Sequence, residues 1–206
     1  MALRLYGVTL LDGHHTEQGV DGTELLGFRD LAAVVTSGPY QQEPPPEEEI
    51  QHYQRVLEAV FNRRAVLPAP VGTVFRSRET LVRWMELHYV ALSDALSFVE
   101  DRAVARVHIR RRASDADARE KDGGTDLAAS AAEAFRALRR RSAAAIPLKT
   151  EHLAGVVLSS AFLVERELWK EFMSVVASEQ DAHGQLTFEV TGPWPPYDFV
   201  RMQFGG

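Results

Sequence analysis

AVARVHIRR, Ala103 to Arg111, alternates in character: Ala105, Val107 and Ile109 fall on one side of an extended chain, and Arg106, His108 and Arg110 on the other. Successive side chains of a strand point to opposite faces, so the stretch reads as a half-buried β-strand. The segments C-terminal to it supply its partners. Leu127, Ala131, Phe135 and Leu138 recur at helical spacing and run into Arg139, Arg140 and Arg141, cations that complement the negative end of a helix. Pro147 blocks simple continuation, and a short strand is expected near Ile146 to Thr150. Val156 to Val164 (VVLSSAFLV) is a strand. Glu165 to Ser178 carries Leu168, Phe172, Val175 and Val176 at helical spacing, and Leu186, Phe188 and Val190 alternate as a last strand. The order β-α-β-β-α-β is the split βαβ arrangement of a ferredoxin-like unit.

Upstream, Leu3 to Leu10 reads as a first strand ending in turn chemistry at Asp12-Gly13, and Leu31 to Thr36 (LAAVVT) as a second. The prolines and like charges of QQEPPPEEE, residues 41–49, predict an exposed connection. A helix comes next, with Glu47, Glu48 and Glu49 at its positive end and Ile50, Tyr53, Leu57, Val60 and Phe61 on its apolar side. After VLPAPVGTVF, residues 66–75, a single helix is expected from Arg78 to Phe98, with Leu81, Met85, Tyr89, Leu92 and Leu96 on one stripe and Trp84 beside it. The fold class is therefore α+β with two subdomains. Residues 1–100 form an N-terminal α+β subdomain, and residues 101–206 a ferredoxin-like one that carries the closing GPWPPYDF segment. ASDADAREKDGGTD, residues 113–126, has almost no large apolar side chain and is expected to be the loosest part of the chain, with Gly123-Gly124 a flexible connection.

Composition narrows the function classes. The chain has 206 residues, 45% hydrophobic and 25% charged, enough to bury a sizeable core. It has no cysteine, so a thiolate nucleophile, a disulfide framework and a Cys-ligated metal site are excluded. No apolar stretch approaches bilayer-spanning length, and the start MALRLYGVTLLDG lacks a convincing cleavage site, so a cytoplasmic location without membrane association is expected. A formal net charge of -6 opposes attraction to nucleic acid. The arginine runs 110–112 and 139–141 are explained more simply as the end of a strand and the end of a helix.

No site chemistry assembles. The seven histidines form neither an H-x-x-x-H pair nor an H-E-x-x-H helix. Asp12 with His14 and His15 reads as a polar turn, and His88 as a helix-face histidine with packing or hydrogen-bonding duties. There is no G-x-S-x-G elbow, and Ser159-Ser160 lie inside a strand. Neither phosphate-binding glycine pattern occurs. No catalytic, cofactor-binding or metal-binding residue is nominated, no cofactor is expected, and the protein reads as a non-enzyme.

The closing GPWPPYDFV, Gly192 to Val200, remains open between a P-x-x-P ligand for an aromatic groove and a rigid clasp. In the clasp, Gly192 permits the turn out of the last strand, Pro193, Pro195 and Pro196 stiffen the tail, and Trp194, Tyr197 and Phe199 lock it against the body.

Three stretches together resemble the gas vesicle GvpF/GvpL family across almost the whole chain. The first is LRLYGVTL with LAAVVTS. The second is VLPAPVGTVF, which matches an L-P-x-x-x-G-T-x-F pattern through Leu67, Pro68, Gly72, Thr73 and Phe75. The third is AFLVERE, beginning Ala161-Phe162, then TGPWPPYDF one helix and one strand later. Where that family carries a basic-aromatic pair before the Gly-Thr, this chain has Pro70-Val71. The resemblance implies an accessory protein of gas vesicle formation that binds the hydrophobic shell subunit and other accessory proteins. An enzyme on a ferredoxin-like scaffold is the competing class, since that fold hosts many functions.

Overall fold

The computed structural model describes residues 1–11, 19–40, 45–112, 123–150 and 154–200. The Asp12-Gly13 turn, the Asp12, His14 and His15 group, residues 41–44 of the acidic connection and residues 113–122 of the polar loop lie outside the described residues. The chain divides into two units. One is Met1–Asp101 together with the segment that begins at Pro195, and the other is Arg102–Trp194. The closing segment is thus shared between them, whereas the sequence reading places all of it in the second subdomain.

The first unit contains β1 (Ala2–Leu10), β2 (Glu24–Phe28), β3 (Leu31–Gly38), α1 (Glu47–Phe61), β4 (Val66–Pro68), β5 (Val74–Phe75), α2 (Arg78–Leu87) and α3 (Tyr89–Val99). Its sheet runs β2-β3-β1-β4, with β5 also paired to β1. All these pairings are antiparallel. β1 is nearly all buried, and apart from Arg4 and Thr9 its side chains are apolar or, at Gly7, absent. A bulge between Leu5 and Gly7 shifts its alternation by one residue. Leu3 and Leu5 before the bulge and Val8 after it therefore join the same buried cluster, with Leu81, Trp84, Met85, Leu92, Leu96 and Val99 of α2 and α3. Gly7 lies where the backbones close in: a Cβ there would meet the Leu67 carbonyl oxygen at 2.7 Å and Leu57 Cδ2 at 3.3 Å.

Two departures from the sequence reading have local causes. β2 has no counterpart in that reading, because Gly27 breaks its apolar pattern, and its link to β3 is a two-residue turn, Arg29-Asp30, with Arg29 at φ 56° in place of an Asn-Gly signature. The expected helix 78–98 is two helices. α2 opens with a capping box, Ser77 and Thr80 each bonding the other's backbone N–H, and ends at His88, whose φ of -107° is not helical. The Trp84 carbonyl oxygen keeps the His88 backbone N–H at 3.1 Å and also has the His88 imidazole Nδ1 at 2.8 Å, while the ring packs on the indole at 5.1 Å.

The second unit contains β6 (Arg102–Arg111), α4 (Gly123–Arg139), β7 (Ala144–Pro147), β8 (Val156–Glu165), α5 (Trp169–Ala182) and β9 (Leu186–Trp194). Strand order is β7-β8-β6-β9, antiparallel throughout, with AVARVHIRR central. β8 lies between β6 and β7, the insertion that defines a split βαβ unit. Gly123-Gly124 opens α4 instead of forming a flexible connection. Ala105, Val107 and Ile109 pack with Leu127, Ala131, Ala134 and Leu138 of α4, and with Phe172 and Val176 of α5.

Replacing Gly7 with alanine should cost roughly 1–3 kcal/mol, because the β1–β4 approach must open to admit a methyl group. Urea denaturation would show a lower midpoint at unchanged slope.

Candidate functional site

VLPAPVGTVF is one edge segment laid along β1 and interrupted by a turn. The Ala69 N–H donates to the Tyr6 carbonyl at 2.8 Å, and the Leu5 N–H donates to the Thr73 carbonyl at 2.9 Å. Between them the Thr73 N–H and hydroxyl both donate to the Pro70 carbonyl, at 3.1 and 2.6 Å. Gly72 sits at φ 82°, the left-handed conformation that a type II turn requires at its third residue. Leu67 is fully buried. The Ala69 N–H points at β1, so by the two-residue period the Pro68 nitrogen takes the outward position, where a missing N–H costs no ladder bond. Phe75 packs on Trp84 at 5.7 Å. Each position of the L-P-x-x-x-G-T-x-F pattern thus has a local structural duty.

Ala161 and Phe162 are completely buried in β8. They lie opposite Arg106 and Ala105, and Phe162 contacts Phe135 at 5.7 Å and Phe172 at 5.5 Å. They are interior residues of the second unit's sheet.

The closing segment differs from the expected clasp. Gly192 does not turn the chain out of the last strand. β9 continues to Trp194, and the register passes from Arg106 opposite Thr191 to Val104 opposite Trp194, so Gly192 and Pro193 form a bulge. Gly192 has φ 130°, and a Cβ there would lie 2.5 Å from the Val104 carbonyl oxygen. Pro193 is exposed, Pro195 and Pro196 are buried, and Trp194, Tyr197 and Phe199 are half-buried. Pro195 and Pro196 are the deeper part of the tail. Two buried prolines do not fit a P-x-x-P ligand, which must present its rings to a partner. The tail then folds on itself, with Tyr197 N–H to the Pro195 carbonyl at 2.7 Å and Phe199 N–H to the Pro196 carbonyl at 3.1 Å, and Val200 joins the first unit's cluster.

Tyr53 of α1 links these pieces, a role its helical spacing did not disclose. Its hydroxyl donates to the Ala69 carbonyl, and its ring stacks on Tyr6 at 6.1 Å. Burial, and secondarily neighbouring Tyr197, push the Tyr53 phenol above the usual tyrosine range. The VLPAPVGTVF segment, α1 and the tail therefore converge on one phenol. Beside it, His52 Nδ1 meets the Asp21 carboxylate at 3.2 Å and stands edge-on to Tyr6 at 5.5 Å.

One constellation has catalytic residue types. Ser159, His108 and Glu189 lie in a row across β8, β6 and β9, with Ser159 Oγ 2.8 Å from His108 Nδ1. Ser159 is 3% exposed in mid-strand, and the Glu189 carboxylate accepts from Arg110 Nε at 2.8 Å. A nucleophile needs access and its histidine needs an orienting partner. This row offers neither, and serves as a cross-strand hydrogen bond with an ion pair beside it. Among the described residues no group of histidines and carboxylates is placed to hold a metal ion, and no helix is long and apolar enough to cross a membrane.

The model of the gas vesicle synthesis protein GvpL/GvpF family matches residues 2–129 and 105–201. The chain belongs to that family. It is 26% identical to gas vesicle protein F1 of Halobacterium salinarum, covering all of this chain and 96% of that one. It is 28% identical to gas vesicle protein F of Haloferax mediterranei, covering 98% and 95%. The crystal structure of GvpF from an Anabaena species shares the fold at a TM-score of 0.79 and 17% identity, over all of this chain and 98% of that one. GvpF from Microcystis aeruginosa does so at 0.74 and 15%, over 98% and 99%. The family places the chain in gas vesicle formation, and its relatives are named as gas vesicle proteins rather than enzymes.

Tyr53→Phe should cost about 1 kcal/mol through the lost hydrogen bond to Ala69. The raised phenol pKa adds a pH signature: the stability tied to it is complete below about pH 10 and falls as pH rises, because the unfolded chain then releases a proton that the folded one keeps. Stability of the variant should fall less steeply above about pH 10 in chemical denaturation. Ending the chain after Trp194 should lower the melting temperature, and an unchanged value would remove the tail from the first unit's packing.

Proposed function

We propose that this protein is an accessory factor of gas vesicle formation that works in the cytoplasm by binding the hydrophobic shell subunit and other accessory proteins during assembly. Family membership supports the process. One surface observation supports binding as the means: Leu87 and Val90, outside all of the motifs, are 73% and 69% exposed at the α2–α3 junction. Large apolar groups this exposed are what a binding partner would cover.

The sheet edges are poorer candidates, because three of them are blunted. The β4 edge carries Pro68. On β9 the outward Phe188 N–H is already held by the Gln180 side-chain oxygen at 3.2 Å. β7 is four residues long and ends in Pro147. Short strands, prolines and occupied donors are the means by which edges avoid pairing with other chains.

Co-expressed with the shell subunit, the full chain should retain it on an affinity column and raise its soluble fraction. If the shell subunit is neither retained nor changed in its aggregation, this reading is wrong.

A further inference from the structure

The outer face of α3 carries more than two stray apolar groups. At 100° per residue, Val90, Ala91, Asp94 and Phe98 fall within an arc of roughly 100°, opposite the buried Leu92, Leu96 and Val99. All four are exposed, Phe98 at 44%, and Leu87, the last residue of α2, is exposed as well, at 73%. At its centre stands the Asp94 carboxylate, which has no hydrogen bond or ion pair among the described residues. Asp94 is the one charged residue of α3; Glu86, Glu100 and Asp101 are the nearest charges in sequence, with Arg83 and Arg102 just beyond them and the Arg29 guanidinium over the Tyr89 ring at 4.6 Å.

We propose that this face docks an amphipathic helix of a partner protein, one whose apolar row carries a lysine or arginine set against Asp94. The proposal rests on the reading that the protein acts by binding another protein, and it names the chemistry of that partner. A helical row spaced at one turn meets a second helix along its length, as in helix-in-groove recognition. Covering the row also takes Asp94 out of water, and a buried carboxylate without a counter-ion is strongly unfavourable, so the occupant must supply a cation there. A second copy using the same face would bring acid against acid. An anionic membrane surface is repelled by Asp94 and by the net charge of -6.

The test uses the full chain and two synthetic helical peptides of about 18 residues, longer than α3. Both carry leucine at i, i+3, i+4 and i+7. One has lysine at the flanking positions and the other glutamate. Binding is read by fluorescence anisotropy at about 0.15 M salt, where long-range attraction is screened. The lysine peptide should bind the native chain and the glutamate peptide should not. Asp94→Lys should weaken the lysine peptide by roughly tenfold or more and confer binding of the glutamate peptide, and Leu87→Ser with Val90→Ser should weaken both. All three positions are exposed, and circular dichroism checks that the variants fold.

Equal binding of the lysine peptide to the native chain and Asp94→Lys overturns the proposal, as does indifference to the double serine variant. A native dimer that Asp94→Lys abolishes also overturns it, by making a second copy the occupant. Co-purification separates the two levels. A shell subunit retained by the native chain and by the variants alike removes this face as its docking site and leaves the functional reading standing. A shell subunit retained by none removes the functional reading, and the peptide titrations then decide the face alone.

Discussion

The first unit depends on the close approach of β1 to β4 at Gly7. β1 is hydrogen-bonded on both sides, to β3 along its length and to β4 and β5 in turn on the other, and it is buried on nearly every residue. A strand in that position must satisfy two faces and two neighbours at once. Leaving out a Cβ at Gly7 lets the Leu67 carbonyl come close. The adjacent bulge returns Val8 to the cluster that Leu3 and Leu5 already occupy. Thr9, also fully buried, donates its hydroxyl to the Ala65 carbonyl at 2.7 Å and fixes the chain where it enters β4. The ion pair of Arg4 with Glu49 at 2.9 Å ties the same strand to the first turn of α1.

Gly192 answers to the same kind of constraint in the second unit. Its missing Cβ leaves room for the Val104 carbonyl, and its positive φ builds the bulge through which β9 reaches Trp194. These two glycines thus sit where one backbone must pass close to another. The family's motif letters are to a large degree a record of such packing demands: Leu67, Ala161 and Phe162 are interior, Gly72 is conformational, and Pro68 is matched to an edge. The exposed apolar side chains of Leu87, Val90 and Phe98 fall elsewhere, on α2 and α3, in residues that none of the motifs includes.

The second unit is the more legible in sequence. Alternation in AVARVHIRR and in LTFEV, with helical spacing between the strands, suffices for the topology because each signal is local and the β-α-β-β-α-β order admits few arrangements. In the first unit the signals are weaker. Gly27 interrupts β2, the two strands of VLPAPVGTVF are three and two residues long, and the apolar stripe from Leu81 to Leu96 passes through His88 without registering the break. Hydrophobic spacing reports which side chains face the core, and a helix that bends can keep that pattern intact.

The α+β class, the ferredoxin-like order of the second half, the absence of thiol chemistry and the family are all legible in the amino-acid sequence. They come from composition, from periodicity, and from short motifs whose residue types tolerate few alternatives. Other features emerge only on packing: Tyr53 joins Ala69 and Tyr197, Pro195 and Pro196 become the buried part of the tail, Ser159 and His108 pair inside a sheet, and an acidic, apolar row stands open on α3. Each of these depends on groups distant in sequence arriving at one place, or on a side chain remaining exposed after packing. Burial and encounter are properties of the packed molecule, and local spacing carries no record of them.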